Sequence, residues 1–133
     1  MQLIKKVFLV ILISLFLISC ANKQNWISHL MNTTYWYAKA NSQFQLGKYK
    51  EAVNSYNQAL KLEPKNPTFW YRKALALQKL SSQSETDYKG PYGKKAIHCL
   101  ETALKLTEKN PGPLRDMLKL VLEEMKKQAN LES

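Results

Sequence analysis

Apolar side chains recur at helical intervals along most of the chain, and this pattern predicts an all-helical fold. One stripe falls at i, i+1, i+4, i+7 and i+8, and its members are Ala52, Val53, Tyr56, Ala59 and Leu60. Because an α-helix makes one turn in 3.6 residues, these positions share one face. A later stripe predicts a last helix over roughly residues 114–129, and its members are Leu114, Met117, Leu118, Val121, Leu122 and Met125.

Glycine and proline divide the chain between these stripes. Gly47 stands between Leu46 and Tyr49, where a residue that tolerates positive φ ends a helix. Pro64 ends the next helix and Pro67 begins another, since proline is tolerated in the first helical turn. We therefore expect short helices joined by tight turns.

The chain also repeats itself. The segment WYAKA at 36–40 returns as WYRKA at 70–74, an offset of 34 residues. The segments ALKL at 59–62 and KNP at 65–67 return as ALKL at 103–106 and KNP at 109–111, an offset of 44. The unit is therefore 34 residues long, and its second copy carries ten extra residues. The stretch 81–95, which includes them, is polar and turn-rich and predicts a surface loop.

This period and content resemble the tetratricopeptide repeat family. The residues that carry the resemblance in the first copy are Trp36, Ala40, Gly47, Tyr49, Ala52, Tyr56, Ala59 and Pro64. Those in the second copy are Trp70, Ala74, Leu77, Ala96, Leu100 and Ala103. The resemblance implies an all-α array of two helical hairpins, residues 33–66 and 67–110, followed by a cap helix over residues 111–133. Six small alanines would let the helix axes approach closely, and Lys39 and Lys73 would pack their stems at equivalent half-buried positions.

The first nineteen residues predict an export signal. Lys5 and Lys6 precede a run of twelve residues, 7–18, that is apolar except for Ser14. Since crossing a bilayer takes about 20 apolar residues, this run favours a signal peptide over a membrane-spanning helix. Its end, LISC at 17–20, resembles the lipobox of bacterial lipoproteins. The resemblance implies cleavage after Ser19 and lipid attachment to Cys20, with palmitate among the acyl chains. Residues 20–32 would then form the lipidated cysteine and a tether, within which Trp26, Ile27, Leu30 and Met31 are also spaced for a helix.

The composition shows a strong positive charge and argues against several classes of function. The 133 residues carry 20 Lys and Arg against 10 Asp and Glu, a formal charge of +10. The lysines are spread along helices and are not interleaved with aromatics as in single-strand binders, and export would keep the protein from DNA, so we expect no nucleic-acid partner. Anionic envelope polymers or lipid head groups remain possible binding partners.

Catalytic chemistry is not indicated. The two histidines, His29 and His98, are about seventy residues apart, and Cys99 beside His98 fits a small buried packing residue. Phosphate-binding loops, nucleophile elbows and paired catalytic carboxylates do not occur in the sequence. We expect no enzyme activity, no cofactor, no metal and no small-molecule substrate.

The resemblance instead implies a groove lined by the first helix of each hairpin. The partner-binding candidates are Tyr37, Asn41, Phe44, Tyr71, Leu75 and Gln78. An alternative for the aromatics is packing against neighbouring helices. An apolar groove with basic edges favours a peptide or helix with some acidic residues.

The sequence therefore predicts a lipid-anchored interaction module of the bacterial cell envelope. It would bind a peptide or helix of another envelope protein, at the outer membrane if the cell has two membranes. Two alternatives stay open: a pilotin-like assembly factor for a secretin or pilus component, and a binder of anionic envelope polymers. Because two repeats are few for a stable stack, oligomerisation is a further possibility.

Overall fold

The computed structural model describes residues 1–84 and 90–131, with side chains given except at residues 3, 19–26 and 131. The described ranges contain five α-helices: α1 (Gln2–Gln45), α2 (Tyr49–Leu62), α3 (Pro67–Ser82), α4 (Pro91–Leu106) and α5 (Pro113–Leu131). The chain divides into two units, Met1–Asn32 and Thr33–Ser133. The all-helical hairpin architecture expected from the sequence is confirmed.

The first unit, Met1–Asn32, lies within α1. Its apolar side chains are exposed along the run at 7–18, and Ser14 Oγ donates a hydrogen bond to the Ile11 carbonyl at 2.8 Å. Among the described residues, no helix combines the length and apolarity needed to cross a bilayer. The backbone is helical at 22–32, where the sequence suggested a tether, because α1 extends backwards through these residues. The lipidation prediction concerns the side chain of Cys20, which lies outside the described side chains.

The second unit begins within α1 and reverses direction at Gly47. Gly47 has φ +73°, the left-handed region that glycine adopts without a steric penalty. Its amide donates to the Phe44 carbonyl at 3.0 Å, and the Lys48 amide donates to the Gln43 carbonyl at 2.9 Å. These bonds satisfy carbonyls that the helix end would otherwise leave unpaired. The glycine stop predicted from the sequence is therefore where α1 ends.

The turn between α2 and α3 is held by side chains as well as by proline. Pro67 occupies the first turn of α3, as predicted, and Asn66 caps the helix. Asn66 Oδ1 accepts a hydrogen bond from the Thr68 amide at 3.1 Å, and Asn66 Nδ2 donates to Glu63 Oε2 at 3.0 Å. Asn66 thus joins the end of one helix to the start of the next.

Small residues bring the helices together. All six alanines predicted to lie at close contacts are at most 1% exposed: Ala40, Ala52, Ala59, Ala74, Ala96 and Ala103. Helix α3 packs against both α2 and α4, and α4 packs against α5. The largest buried cluster joins α3, α4 and α5 around Leu100, Leu118, Leu122 and Met125, with Cys99 among its members. The prediction that Cys99 is a buried packing residue is confirmed.

Two sequence expectations need correction. Residues 81–95 are not a loop throughout, because α3 continues to Ser82 and α4 begins at Pro91. Ser81 and Gly93 are buried, so both ends of this stretch belong to the packed hairpin; residues 85–89 lie outside the described ranges. In α5, Met117 was placed on the apolar stripe but is 40% exposed, whereas Leu118 beside it is fully buried.

Candidate protein-binding surfaces

The predicted groove residues of α1 are partly buried and contact other helices. The Tyr37 ring stacks on Phe69 of α3, with centroids 4.8 Å apart, and lies 6.2 Å from the Tyr56 ring of α2. Phe44 meets Tyr49 edge to face at 5.3 Å. These aromatic side chains therefore pack against neighbouring helices, the alternative that the sequence left open, while each keeps part of its surface accessible.

Asn41 is bonded within the fold. Its Oδ1 accepts a hydrogen bond from the Tyr56 hydroxyl at 2.7 Å. Tyr56 is only 1% exposed, and burial raises the pKa of its phenol to about 12. The Arg72 charge acts in the opposite direction and the Tyr37 phenol adds to the rise. Asn41 thus satisfies a buried hydroxyl, a structural role that the sequence did not indicate.

The three candidates on α3 lie on one accessible face. Tyr71, Leu75 and Gln78 follow i, i+4, i+7 spacing, and each is partly exposed. Tyr71 also packs against the α3–α4–α5 cluster. They stand 34 residues after Tyr37, Asn41 and Phe44, so the repeat places the same spacing on both helices. We call these six residues the groove face.

The opposite face of α3 lines a pocket. Trp70, Lys73, Leu77 and Leu80 follow i, i+3, i+7, i+10, and at 100° per residue their mean direction is about 150° from that of the groove residues on α3. Together with residues of α2 and α4 they line a pocket of about 510 Å³. A second pocket, of about 640 Å³, adjoins it and shares Trp70 and Lys73. Sequence reasoning missed this surface, because its residues are scattered over three helices.

A lysine ammonium lies over the ring of each repeat tryptophan. Lys39 Nζ lies 5.0 Å from the centroid of the Trp36 ring, and Lys73 Nζ lies 5.1 Å from that of Trp70. The three-residue spacing puts each ammonium over the indole one turn away, where the ring quadrupole attracts it. Lys73 is partly buried as predicted, whereas Lys39 is exposed.

Among the described residues, groups of three or more His, Cys, Asp or Glu side chains that could hold a metal ion do not occur. Burial raises the pKa of the Cys99 thiol, while the Lys73 charge acts against this rise. The groove face and the pockets present apolar, phenol, amide, imidazole and ammonium groups.

Comparison with known families agrees with the hairpin geometry. Residues 40–81, the span from Ala40 of α1 through α2 to Ser81 of α3, match the family model of the TPR repeat. This segment of the chain is similar to a tetratricopeptide repeat. A repeat of this kind suggests a protein–protein interaction module.

Proposed function

We propose that the protein is a lipid-anchored adaptor of the cell envelope, and that its groove face binds a peptide or helix from another envelope protein. The proposal rests on one observation above the others. Tyr71, Leu75 and Gln78 of α3 remain partly exposed on one face, at the repeat positions equivalent to Tyr37, Asn41 and Phe44 of α1. A surface of apolar and amide side chains repeated at a fixed interval suits an elongated protein ligand.

Leu75 offers the sharpest test of the groove face. It is partly exposed, so Leu75→Asp places a charge on the binding surface without opening the core. The matched control is Leu120→Asp, the same change at a side chain of α5 that is 72% exposed. We expect Leu75→Asp to reduce partner capture from native membranes at least tenfold and Leu120→Asp to leave it unchanged. Equal capture by both variants would refute the groove.

Site-specific crosslinking identifies the partner directly. A photo-crosslinking residue at position 75 should join the protein to one envelope protein in intact cells, and mass spectrometry would name it. The same residue at position 120 should not give that product. A ring-forming outer-membrane protein as the product would favour the assembly-factor version of this function.

The lipid anchor is tested through the two cysteines. The sequence has only Cys20 and Cys99, and Cys99 is buried in the helical core. Cells fed labelled palmitate should label the natural protein and Cys99→Ala but not Cys20→Ser, which should accumulate as precursor. Undiminished labelling of Cys20→Ser would contradict lipidation at that residue.

A further inference from the structure

Two pockets on the α2–α3–α4 side share four lining residues, and we call the two together the trough, distinct from the groove face. The first is lined by side chains of all three helices, the second by α2 and α3, and Asn54, Asn57, Trp70 and Lys73 belong to both. Trp70 lies at the junction, with its Nε1 donating to the Pro64 carbonyl at 2.8 Å. That bond and the Lys73 ammonium over its ring hold the indole in place.

The trough is basic. Lys50 and Lys61 of α2, Lys73 of α3 and Lys95 of α4 line it, and none of the described lining residues is Asp or Glu. Within the described part of the chain, the salt bridge recorded joins Lys126 to Glu101, so it neutralises none of these four lysines. An occupant that carries carboxylates is therefore complementary in charge to this surface.

The other lining residues discriminate among anionic occupants. Val53, Leu77 and Tyr92 give the first pocket apolar surface. Three amide side chains, Asn54, Asn57 and Gln58, line the trough along α2. Each side-chain amide has both donor and acceptor groups. Among the described residues, the side-chain hydrogen bonds involve none of these three amides. An extended peptide backbone presents alternating donors and acceptors, which such amides can bind; a fatty acid or a polyphosphate cannot use them in this way.

The length of the trough fits a short segment. Lys50 and Lys61 are eleven residues apart on α2, which is about 16 Å at a rise of 1.5 Å per residue. An extended chain covers that distance with about five residues. We propose that this trough is a second binding site, which takes an extended, acidic peptide segment of a partner protein with apolar side chains between its carboxylates.

The probe is a fluorescein-labelled octapeptide of alternating Glu and Phe, tested against the full chain in detergent by fluorescence anisotropy. Its analogue with Gln for every Glu should bind at least tenfold more weakly. Reversing two trough lysines, in the double variant Lys50→Glu with Lys61→Glu, should weaken probe binding at least tenfold. The matched control is Lys105→Glu with Lys119→Glu, which makes the same charge change at exposed residues outside the trough.

Further variants separate the trough from the groove and from charge alone. Removing two trough amides, Asn54→Ala with Asn57→Ala, should weaken probe binding at least threefold, and Leu75→Asp should leave it unchanged. Equal loss in both lysine double variants, or equal binding of the neutral analogue, would overturn the proposal. Loss of probe binding in Leu75→Asp, with no loss in the lysine variants, would also overturn the proposal. That result would not contradict the proposed function of the groove face. Helical circular dichroism of each variant checks that it is folded, and Lys61→Gln provides a milder variant if a reversal unfolds the chain.

Discussion

At the scale of single residues, the contact between Asn41 and Tyr56 shows how one side chain can serve folding where the sequence suggested binding. The Tyr56 hydroxyl is buried and donates to Asn41 Oδ1, which lies at a partly exposed position. The two ends of this bond are therefore unequal. Removing the acceptor leaves a buried donor without a partner, whereas removing the donor leaves Asn41 near water.

This difference predicts which of two substitutions destabilises the fold more. Asn41→Ala should lower the free energy of unfolding by about 1 to 3 kcal/mol, because it strands the buried hydroxyl, and Tyr56→Phe by about 1 kcal/mol. Urea denaturation monitored by circular dichroism measures both. A larger loss in Tyr56→Phe would show that the hydroxyl has another partner. It also follows that weaker partner binding by Asn41→Ala would not by itself identify a groove contact.

The same phenol predicts a pH dependence. Its pKa in the folded chain, about 12, lies above the 10.0 of an unperturbed tyrosine, so the folded state holds the proton more tightly than the unfolded state does. The stability that this difference contributes is complete below pH 10 and is lost as the pH rises towards 12. Denaturation midpoints of the natural protein should therefore fall more steeply over that interval than those of Tyr56→Phe. Parallel curves would show that Tyr56 titrates normally.

At the scale of the helices, the end of α1 and the start of α3 follow from residues that can be read directly in the sequence. Gly47 ends α1 and Pro67 lies in the first turn of α3, because backbone freedom at glycine and fixed φ at proline act locally. The far end of the second hairpin was harder to predict. Its polar residues predict a loop, but Ser81 and Gly93 are buried by neighbouring helices. Such tertiary burial cannot be predicted from local composition.

The turn at Gly47 gives a prediction with an internal control. Gly47→Ala should lower the free energy of unfolding by about 1 to 2 kcal/mol. An alanine is strained at φ +73°, although no atom lies within 4 Å of its Cβ position. Gly112 also has open space around its Cβ position, and its φ is not in the left-handed region, so Gly112→Ala should be neutral or slightly stabilising. Thermal unfolding of the two variants compares them directly. Equal melting temperatures would argue against strain at Gly47.

At the scale of the whole molecule, the repeat predicted the fold better than it predicted the surfaces. The 34-residue offset, the buried alanines and the hairpin order could be found from the sequence, since each depends on a periodic pattern. The six groove positions were placed by resemblance, and the structure shows that Tyr37 and Phe44 also pack between helices. The trough was not predicted, because it joins lysines and amides whose positions on three helices follow no single period.

Helix α5 closes the packed unit, and its contribution can be measured at one position. Leu118 is fully buried among α3, α4 and α5, so Leu118→Ala should lower the free energy of unfolding by about 2 to 5 kcal/mol. Leu120 is on the same helix and is 72% exposed, and Leu120→Ala should change stability by less than about 0.5 kcal/mol. Guanidinium titration of both variants makes the comparison. Similar, small losses would mean that α5 does not hold the cluster together.

The buried thiol of Cys99 has a practical consequence for following the motions of this molecule. It is 2% exposed, and burial raises its pKa, so both access and thiolate fraction are low while the cluster is closed. In a Cys20→Ser background, an alkylating reagent would react at this single thiol when α3, α4 and α5 separate. The labelling rate would then measure how often the packed helices around Cys99 open.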